Sequence, residues 1–370
     1  MKIIFSSNIS WSIYNFRKKL LKTLQQEGFD IYTVSSKDRY ANKLIEEGFF
    51  YDQVNVKNNS KNPLKDIKLF YQYYKLYKKI NPDIICHNAI KPNIYGTIAA
   101  KLLGIPVINN ISGLGTLFIT TNFSTFLAKI LYKFSQQFAS TVFFQNQDDL
   151  SLFIKNKIID LKKVKLIPGS GVDISLFTPK KRQISKVFKF IFIGRFLKDK
   201  GLIELYNAVL KLSKLRNDFR VILVGDRYVA NQTCISETEF NLFKKNNFFD
   251  VIGHIDNVQV ELTNADCLIL PSYREGLSKV LIEAGSSGIP CITTDVPGCR
   301  DVIINNYNGL IIRPKDSESL LIAMNKMLNH SSLEISNLGV NARKNVEEKF
   351  SLDRVNAIYI NEIKKVIINK

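Results

Sequence analysis

The chain has 370 residues, 45% hydrophobic and 23% charged, proportions ordinary for a globular protein and a length beyond one core, so two domains are expected. Its net charge of +19 is lopsided: residues 1–182 hold 27 Lys and Arg against 12 Asp and Glu (+15), the remainder 25 against 21 (+4). That excess either turns the first half toward an anionic partner or reflects a Lys-rich composition with solvated side chains. Five cysteines without a Cys-x-x-Cys pair and three scattered histidines show neither a disulfide framework nor metal-ligand spacing, and no apolar run nears the ~18 residues that span a bilayer.

MKIIFSSNIS opens as a strand rather than a leader, which together with reduced thiols predicts a cytoplasmic protein. KIIFSS reads as a strand, NFRKKLLKTLQQEG as a helix stopped by Gly28, DIYTVSS as a strand and ANKLIEEG as a helix ending at Gly48. PLKDIKLFYQYYKLYKKI is a helix, DIICHN a buried strand, NIYGTIAAKLLG a helix, and PVINNI and TVFFQN further strands. Short apolar strands between helices predict a parallel, helix-covered sheet. After the polar stretch FTPKKRQISK the pattern restarts: FKFIFIGR, FRVILVGD, DVIGHI, DCLILPS, PCITTDV and GLIIRP read as strands of a second Rossmann-like sheet. The fold class is therefore α/β, with domains expected at 1–180 and 186–351. A ligand is expected in the crevice at the carboxyl ends of the strands.

In IFIGRFLKDKG the strand ends at Gly194, with Arg195 at its carboxyl end and Lys200 before the next helix. A glycine that admits a ligand beside two cations suits a diphosphate, although alone it reads equally as an exposed turn. In PSYREGLSKVLIEAGSSGIP, Gly276 permits close approach, and the amides of Leu277, Ser278 and Lys279 are expected free at a helix start. Were Glu275 and Glu283 on one helix, they would lie ~80° apart around it and ~12 Å along it, two diol acceptors for one long ligand. Taken alone, Glu283 is as readily a surface carboxylate favoured by the helix dipole. Together the two segments fit a sugar nucleotide.

These segments, GRFLKDKG followed by PSYREGLSKVLIEAGSSGIPCITTDVPGCRDVI, resemble the retaining GT-B-fold glycosyltransferases of family 4, and the resemblance runs over nearly the whole chain. It implies two Rossmann-like domains facing across a cleft, with a helix at about 352–370 packing back on the first. The implied roles are Arg195 and Lys200 on the donor diphosphate, Glu275 on the donor sugar and Glu283 on the ribose. Gly194, Gly276, Leu277, Ser278 and Lys279 would complete the donor contacts, with Gly253 and His254 of VIGHID bordering the base. In the first half, CHNAIKPNIYG carries His87 and Lys91, and ISGLGTLF carries Gly113 and Gly115. A lone histidine is more often structural, but the resemblance implies a polar residue lining the donor sugar near His87, which joins Arg195, Lys200 and Glu275 as the catalytic set. IKPNIYG and GLGTLF are similar to the subgroup that adds N-acetylhexosamines to undecaprenyl-diphosphate-linked glycans. One departure stands out: the loop after the first strand reads SSNISWSIYNFR where relatives carry paired glycines, leaving Ser10 or Ser12 to contribute.

In the helix PLKDIKLFYQYYKLYKKI, Phe70, Tyr73, Tyr74 and Tyr77 interleave with Lys65, Lys68, Lys75, Lys78 and Lys79. It reads either as a basic amphipathic helix on an anionic membrane or as a core helix with a charged outer face. The expected function is transfer of a sugar such as GalNAc from a UDP-sugar to a lipid-diphosphate-linked glycan, at the inner face of the cytoplasmic membrane. No cofactor or metal is expected beyond the UDP-sugar co-substrate, protein cations taking the charge of the leaving diphosphate. A sugar-nucleotide epimerase or hydrolase would turn over donor without acceptor. A nucleic-acid binder would need a helix–turn–helix, RNP strand or zinc spacing, none of which is present, so no nucleic-acid partner is expected.

Overall fold

The computed structural model describes residues 1–56, 63–114, 123–179 and 187–369. It divides into two compact units: Met1–Ser170 with Asp353–Lys370, and Gly171–Leu352. The expected linker near 180 lies too late. Gly171 to Phe177 already belongs to the second unit, because Val172 pairs with Ser351 and Phe177 joins the second core. The Arg343 guanidinium fastens the segment, donating to the carbonyls of Ile174 (3.0 Å) and Phe177 (2.6 Å).

The first unit holds a seven-stranded parallel sheet of β1 (Lys2–Ile9), β2 (Asp30–Ser36), β3 (Phe50–Gln53), β4 (Ile84–Asn88), β5 (Val107–Ile111), β6 (Thr141–Phe144) and β7 (Val164–Leu166), in the order β3-β2-β1-β4-β5-β6-β7. Helices cover the sheet, which is why its inner strands read as unbroken apolar runs. Ile3, Ile4 and Phe5 of β1 are all fully buried, although they point to alternate faces. The helix Ser10–Gln26 buries Ile13, Leu20, Leu21 and Leu24 at helical spacing, and Gly28 closes it at φ +89°. The helix Leu352–Ile368 packs Val355, Tyr359, Ile363 and Val366 into the same core as Phe5, Ile84, Ile108 and Phe143. Burial of such side chains contributes about 1.5–3 kcal/mol each.

The second unit holds a six-stranded parallel sheet of β8 (Phe188–Ile193), β9 (Phe219–Val224), β10 (Phe249–Gly253), β11 (Cys267–Leu270), β12 (Cys291–Thr294) and β13 (Gly309–Ile312), in the order β10-β9-β8-β11-β12-β13. In each sheet the direction of winding reverses once, between β1 and β4 and between β8 and β11. At such switch points the loops leaving adjacent strands diverge to opposite faces and open a crevice at the carboxyl edge.

The loops at the second switch point form the candidate active site

Gly194 to Lys200 leaves β8 on one side of the second unit's switch point, and Pro271 to Ser278 leaves β11 on the other. The two loops are joined. The amide of Tyr273 donates to the Asp199 carbonyl (2.8 Å), as does the Ser272 hydroxyl (3.2 Å), and the Tyr273 hydroxyl donates to Glu204 (2.7 Å). Gly201 sits at φ +73°, and a Cβ there would lie 2.1 Å from the Pro271 carbonyl oxygen, so only glycine permits this approach. The result is an ion pair between Lys200 and Glu275, whose side chains are 19% and 15% exposed. Arg195 is exposed, its guanidinium 5.5 Å from the centre of the Tyr228 ring, and no carboxylate partner is found for it among the described residues. The loop after β8 thus carries an exposed cation over an aromatic face and, at Lys200, one half of an ion pair that reaches across to the loop after β11.

A third loop holds the turn from behind. The amide of Glu275 donates to Pro297 (3.1 Å) and that of Ser278 to Gly298 (3.0 Å), while the Gly298 amide donates to Asp301 (2.7 Å). Two expectations fail for this reason. The Ser278 amide is already spent on a carbonyl, and the helix begins only at Lys279, with Ser278 as its extended N-cap. Glu275 therefore precedes the helix altogether, and no helical angle relates it to Glu283. Gly276 and Leu277 occupy the turn itself and are partly exposed.

Glu283 is on the helix Lys279–Ser286 and only 9% exposed. Desolvation raises its pKa to about 7, against the pull of Lys279, whose ammonium lies 3.8 Å away. It is thus a buried carboxyl that changes charge near neutrality rather than a solvated surface group. Gly253 ends β10 at φ +89° and receives the Gly225 amide (2.8 Å), and His254 beyond it is exposed and 3.4 Å from Asp256.

The first unit corrects a catalytic assignment. His87, the last residue but one of β4, is in register with Ser6 and Asn109 and is fully buried. Its Nδ1 donates to Asn109 Oδ1 (2.9 Å), which leaves Nε2 to accept from the Tyr77 hydroxyl (2.8 Å). With both ring nitrogens committed, it is a structural hub and not a ligand contact. Gly96 exists for its sake, since a Cβ there would stand 2.5 Å from His87 Nε2. Burial lowers the His87 pKa to about 4 from 6.5, so the unfolded chain takes up the proton first. Its contribution to stability is present above pH 6.5 and is lost as pH falls to about 4, roughly 3 kcal/mol in all. His87→Ala is expected to abolish that acid limb and to lower stability at neutral pH by about 2–4 kcal/mol, with turnover per folded molecule unchanged, as urea unfolding across this range beside an activity assay will read.

Ser10 is also buried, its hydroxyl paired with Ser35 (2.8 Å), while the Ser12 hydroxyl is 2.6 Å from Ser7. Neither hydroxyl is presented as expected of a donor loop. Lys91 is paired with Asp66 at 2.7 Å, Gly113 takes φ +122°, and Gly115 lies outside the described residues. In the helix Pro63–Ile80, Tyr73 and Tyr77 are fully buried core residues, because Tyr77 bonds His87 and Tyr73 bonds Ser6 (3.3 Å). Its outer face still carries Leu64, Ile67 and Tyr71 exposed among lysines.

The sequence reading missed Tyr228, Tyr273 with Glu204, and the Pro297–Asp301 brace. Only the brace left a mark in the sequence, the Pro-Gly turn of DVPGCRD.

Two parallel Rossmann-like sheets, the second with a cation-bearing loop and a carboxylate-bearing loop at its switch point, are the architecture of the GT-B glycosyltransferases. Residues 2–146 match the glycosyl transferase 4-like family and residues 175–346 the group 1 glycosyl transferases, and the chain belongs to these glycosyltransferases. It is 29% identical, over 99% of its length and the whole of the relative, to N,N'-diacetylbacillosaminyl-diphospho-undecaprenol alpha-1,3-N-acetylgalactosaminyltransferase of Campylobacter jejuni. It is 27% identical over 83% of its length, and 81% of the relative, to UDP-Gal:alpha-D-GlcNAc-diphosphoundecaprenol alpha-1,3-galactosyltransferase of Escherichia coli. In fold it is similar to sucrose-phosphate synthase of Thermosynechococcus elongatus, with TM-score 0.85 and 17% identity over all of both chains. Anabaena HepE in complex with UDP superposes with TM-score 0.80 at 18% identity, over 99% of this chain and all of the other.

Proposed function

We propose that this glycosyltransferase moves an N-acetylhexosamine such as GalNAc from a UDP-sugar to an undecaprenyl-diphosphate-linked glycan, with retention at the anomeric carbon, in surface polysaccharide synthesis. The observation that carries the reading is the Lys200–Glu275 pair held across the switch point beside an uncommitted Arg195. Arg195 and Lys200 take the charge that grows on the departing diphosphate, and Glu275 accepts hydrogen bonds from the donor sugar. Glu283 accepts from the ribose, and Gly253 and His254 border the base. The acceptor hydroxyl attacks from the face the diphosphate leaves, its proton passing to the leaving phosphate, with no metal or other cofactor taking part.

The acceptor reading draws support from the names of the two relatives and from the first unit itself. A cavity of about 480 Å³ opens where β2 and β3 end, lined by Lys37, Lys65, Lys68 and Lys91 with Asp66 as its one carboxylate. Asp66 is occupied by Lys91 and the Tyr95 hydroxyl (2.9 Å), leaving three ammonium groups for a diphosphate. Among the described residues no helix is long and apolar enough to cross a membrane, and we place the protein at the inner face of the cytoplasmic membrane through its basic first unit. A panel of UDP-, GDP- and ADP-sugars is the test. UDP-N-acetylhexosamines should raise the melting temperature most, and label should reach the lipid-linked glycan with EDTA present. Donor turnover that ignores the acceptor would instead favour the epimerase or hydrolase reading.

A further inference from the structure

The first unit carries a second basic cavity, at the opposite, amino edge of its sheet. Its volume is about 430 Å³, and its walls are the segments entering β5, β6 and β7, closed by the helix Leu352–Ile368. Five lysines line it, Lys101, Lys162, Lys163, Lys165 and Lys365, against the single carboxylate of Glu362. That carboxylate is 3% exposed and already occupied, by Lys165 and by the Thr141 hydroxyl (2.5 Å), which lower its pKa although burial raises it. Lys163 caps the Gln137 carbonyl (2.5 Å). Lys162 and Lys365 are exposed and form no ion pair within 4.0 Å among the described residues, although the charge of Lys365 is felt by Glu362. The cavity therefore holds a concentrated positive charge that its own walls do not neutralise, and a phosphate group is the chemistry that answers it.

A second observation says where that phosphate comes from. Phe138 lines the cavity, with the Lys101 ammonium 5.6 Å from its ring centre and Phe134 edge-on to it at 5.2 Å. Phe134 ends a stripe on the helix Phe123–Gln136 in which Phe126 is 61% exposed, Ile130 47% and Phe134 50%, with Leu127 beside them. Residues four apart share one helix face, so the stripe runs for about 12 Å and stops at the rim of the lysine cavity. An apolar strip that ends in a cationic pocket matches a molecule with acyl chains and a phosphate head.

We propose that this cavity is a headgroup site for an anionic phospholipid, separate from both substrates of the transfer reaction, and that it fixes the first unit to the bilayer through one specific lipid contact. The inference rests on the membrane-facing reading above, and its test separates the two.

The full chain is titrated with dihexanoyl phosphatidylglycerol below its micellar concentration, and is cosedimented with vesicles of phosphatidylglycerol and phosphatidylcholine. The wild type should bind the soluble lipid saturably and the phosphatidylcholine analogue not at all. Lys162→Ala with Lys365→Ala should weaken that binding at least about tenfold and vesicle binding about thirtyfold, since each ammonium contributes ~1 kcal/mol at an anionic surface. Transfer to acceptor in detergent should be unchanged in this variant. Lys78→Ala with Lys79→Ala, on the helix Pro63–Ile80, should leave soluble-lipid binding intact. Equal losses in the two double variants would overturn the site while leaving membrane association standing. Inorganic phosphate binding as tightly as the lipid would overturn the headgroup assignment. A wild type that ignores anionic vesicles would overturn the membrane reading and this inference with it.

Discussion

Replacing Arg195 and Lys200 together by alanine lowers sugar transfer by about 10³-fold or more while the protein stays folded. Removal of one preorganised donor from a developing anion typically costs ~10²–10³ in turnover, and the second loss is not simply additive. UDP affinity falls by a much smaller factor, because the charge on the diphosphate is largest as the bond to the sugar breaks. Radiolabelled transfer to the lipid-linked glycan, with circular dichroism of the same samples, decides it; full turnover in a folded double variant would show that the leaving group is stabilised elsewhere. Lys200→Ala alone carries a further cost, since it strands Glu275 with its side chain only 15% exposed.

Glu283→Gln makes the second unit more stable at pH 8 and no more stable at acid pH. The Glu283 pKa of about 7 exceeds its unfolded value of 4.5, so the folded state holds the proton more tightly than the unfolded chain. This advantage is fully present below pH 4.5 and is lost as pH rises to about 7, a swing of about 3 kcal/mol that the glutamine removes. Donor affinity moves the other way. On the proposed role of Glu283 as acceptor from the ribose, the ionised carboxylate is the stronger acceptor, so wild-type affinity for a UDP-sugar should rise through pH 7 and that of the variant should stay weak and flat. Thermal unfolding and calorimetric titration at matched pH values measure both. An identical stability profile in the two proteins would mean that the Glu283 pKa is the same in the folded and the unfolded chain.

Much of the architecture is legible in the chain because its inner strands are buried on both faces and punctuated by Gly28, Gly48 and similar stops. The short edge strands β3 and β7 escape notice, since FYDQ and VKL are half exposed and have no apolar run to announce them. The cations and carboxylates of the donor loops could be picked out from strand ends and turn glycines. Their pairing could not, because Lys200 and Glu275 are 75 residues apart and meet only through loop contacts such as Gly201 against Pro271. His87 shows the same limit in reverse. A histidine one step past an apolar strand reads alike whether it faces solvent or the core, and only the register with Asn109 and the partner Tyr77 decides. The resemblance carried a site role onto a position whose neighbours make it structural.

The return of Asp353–Lys370 to the first unit has a bearing on how the chain is made. Domains usually fold in order of synthesis, the amino-terminal one first, at ~5–20 residues per second. Here Val355, Tyr359 and Ile363 fill the same core as Phe5 and Ile84, so the first unit lacks part of its interior until the ribosome has finished the second. For many seconds the nascent chain exposes the apolar seam that this helix later covers, and the second unit, continuous from Gly171 to Leu352, can complete itself first.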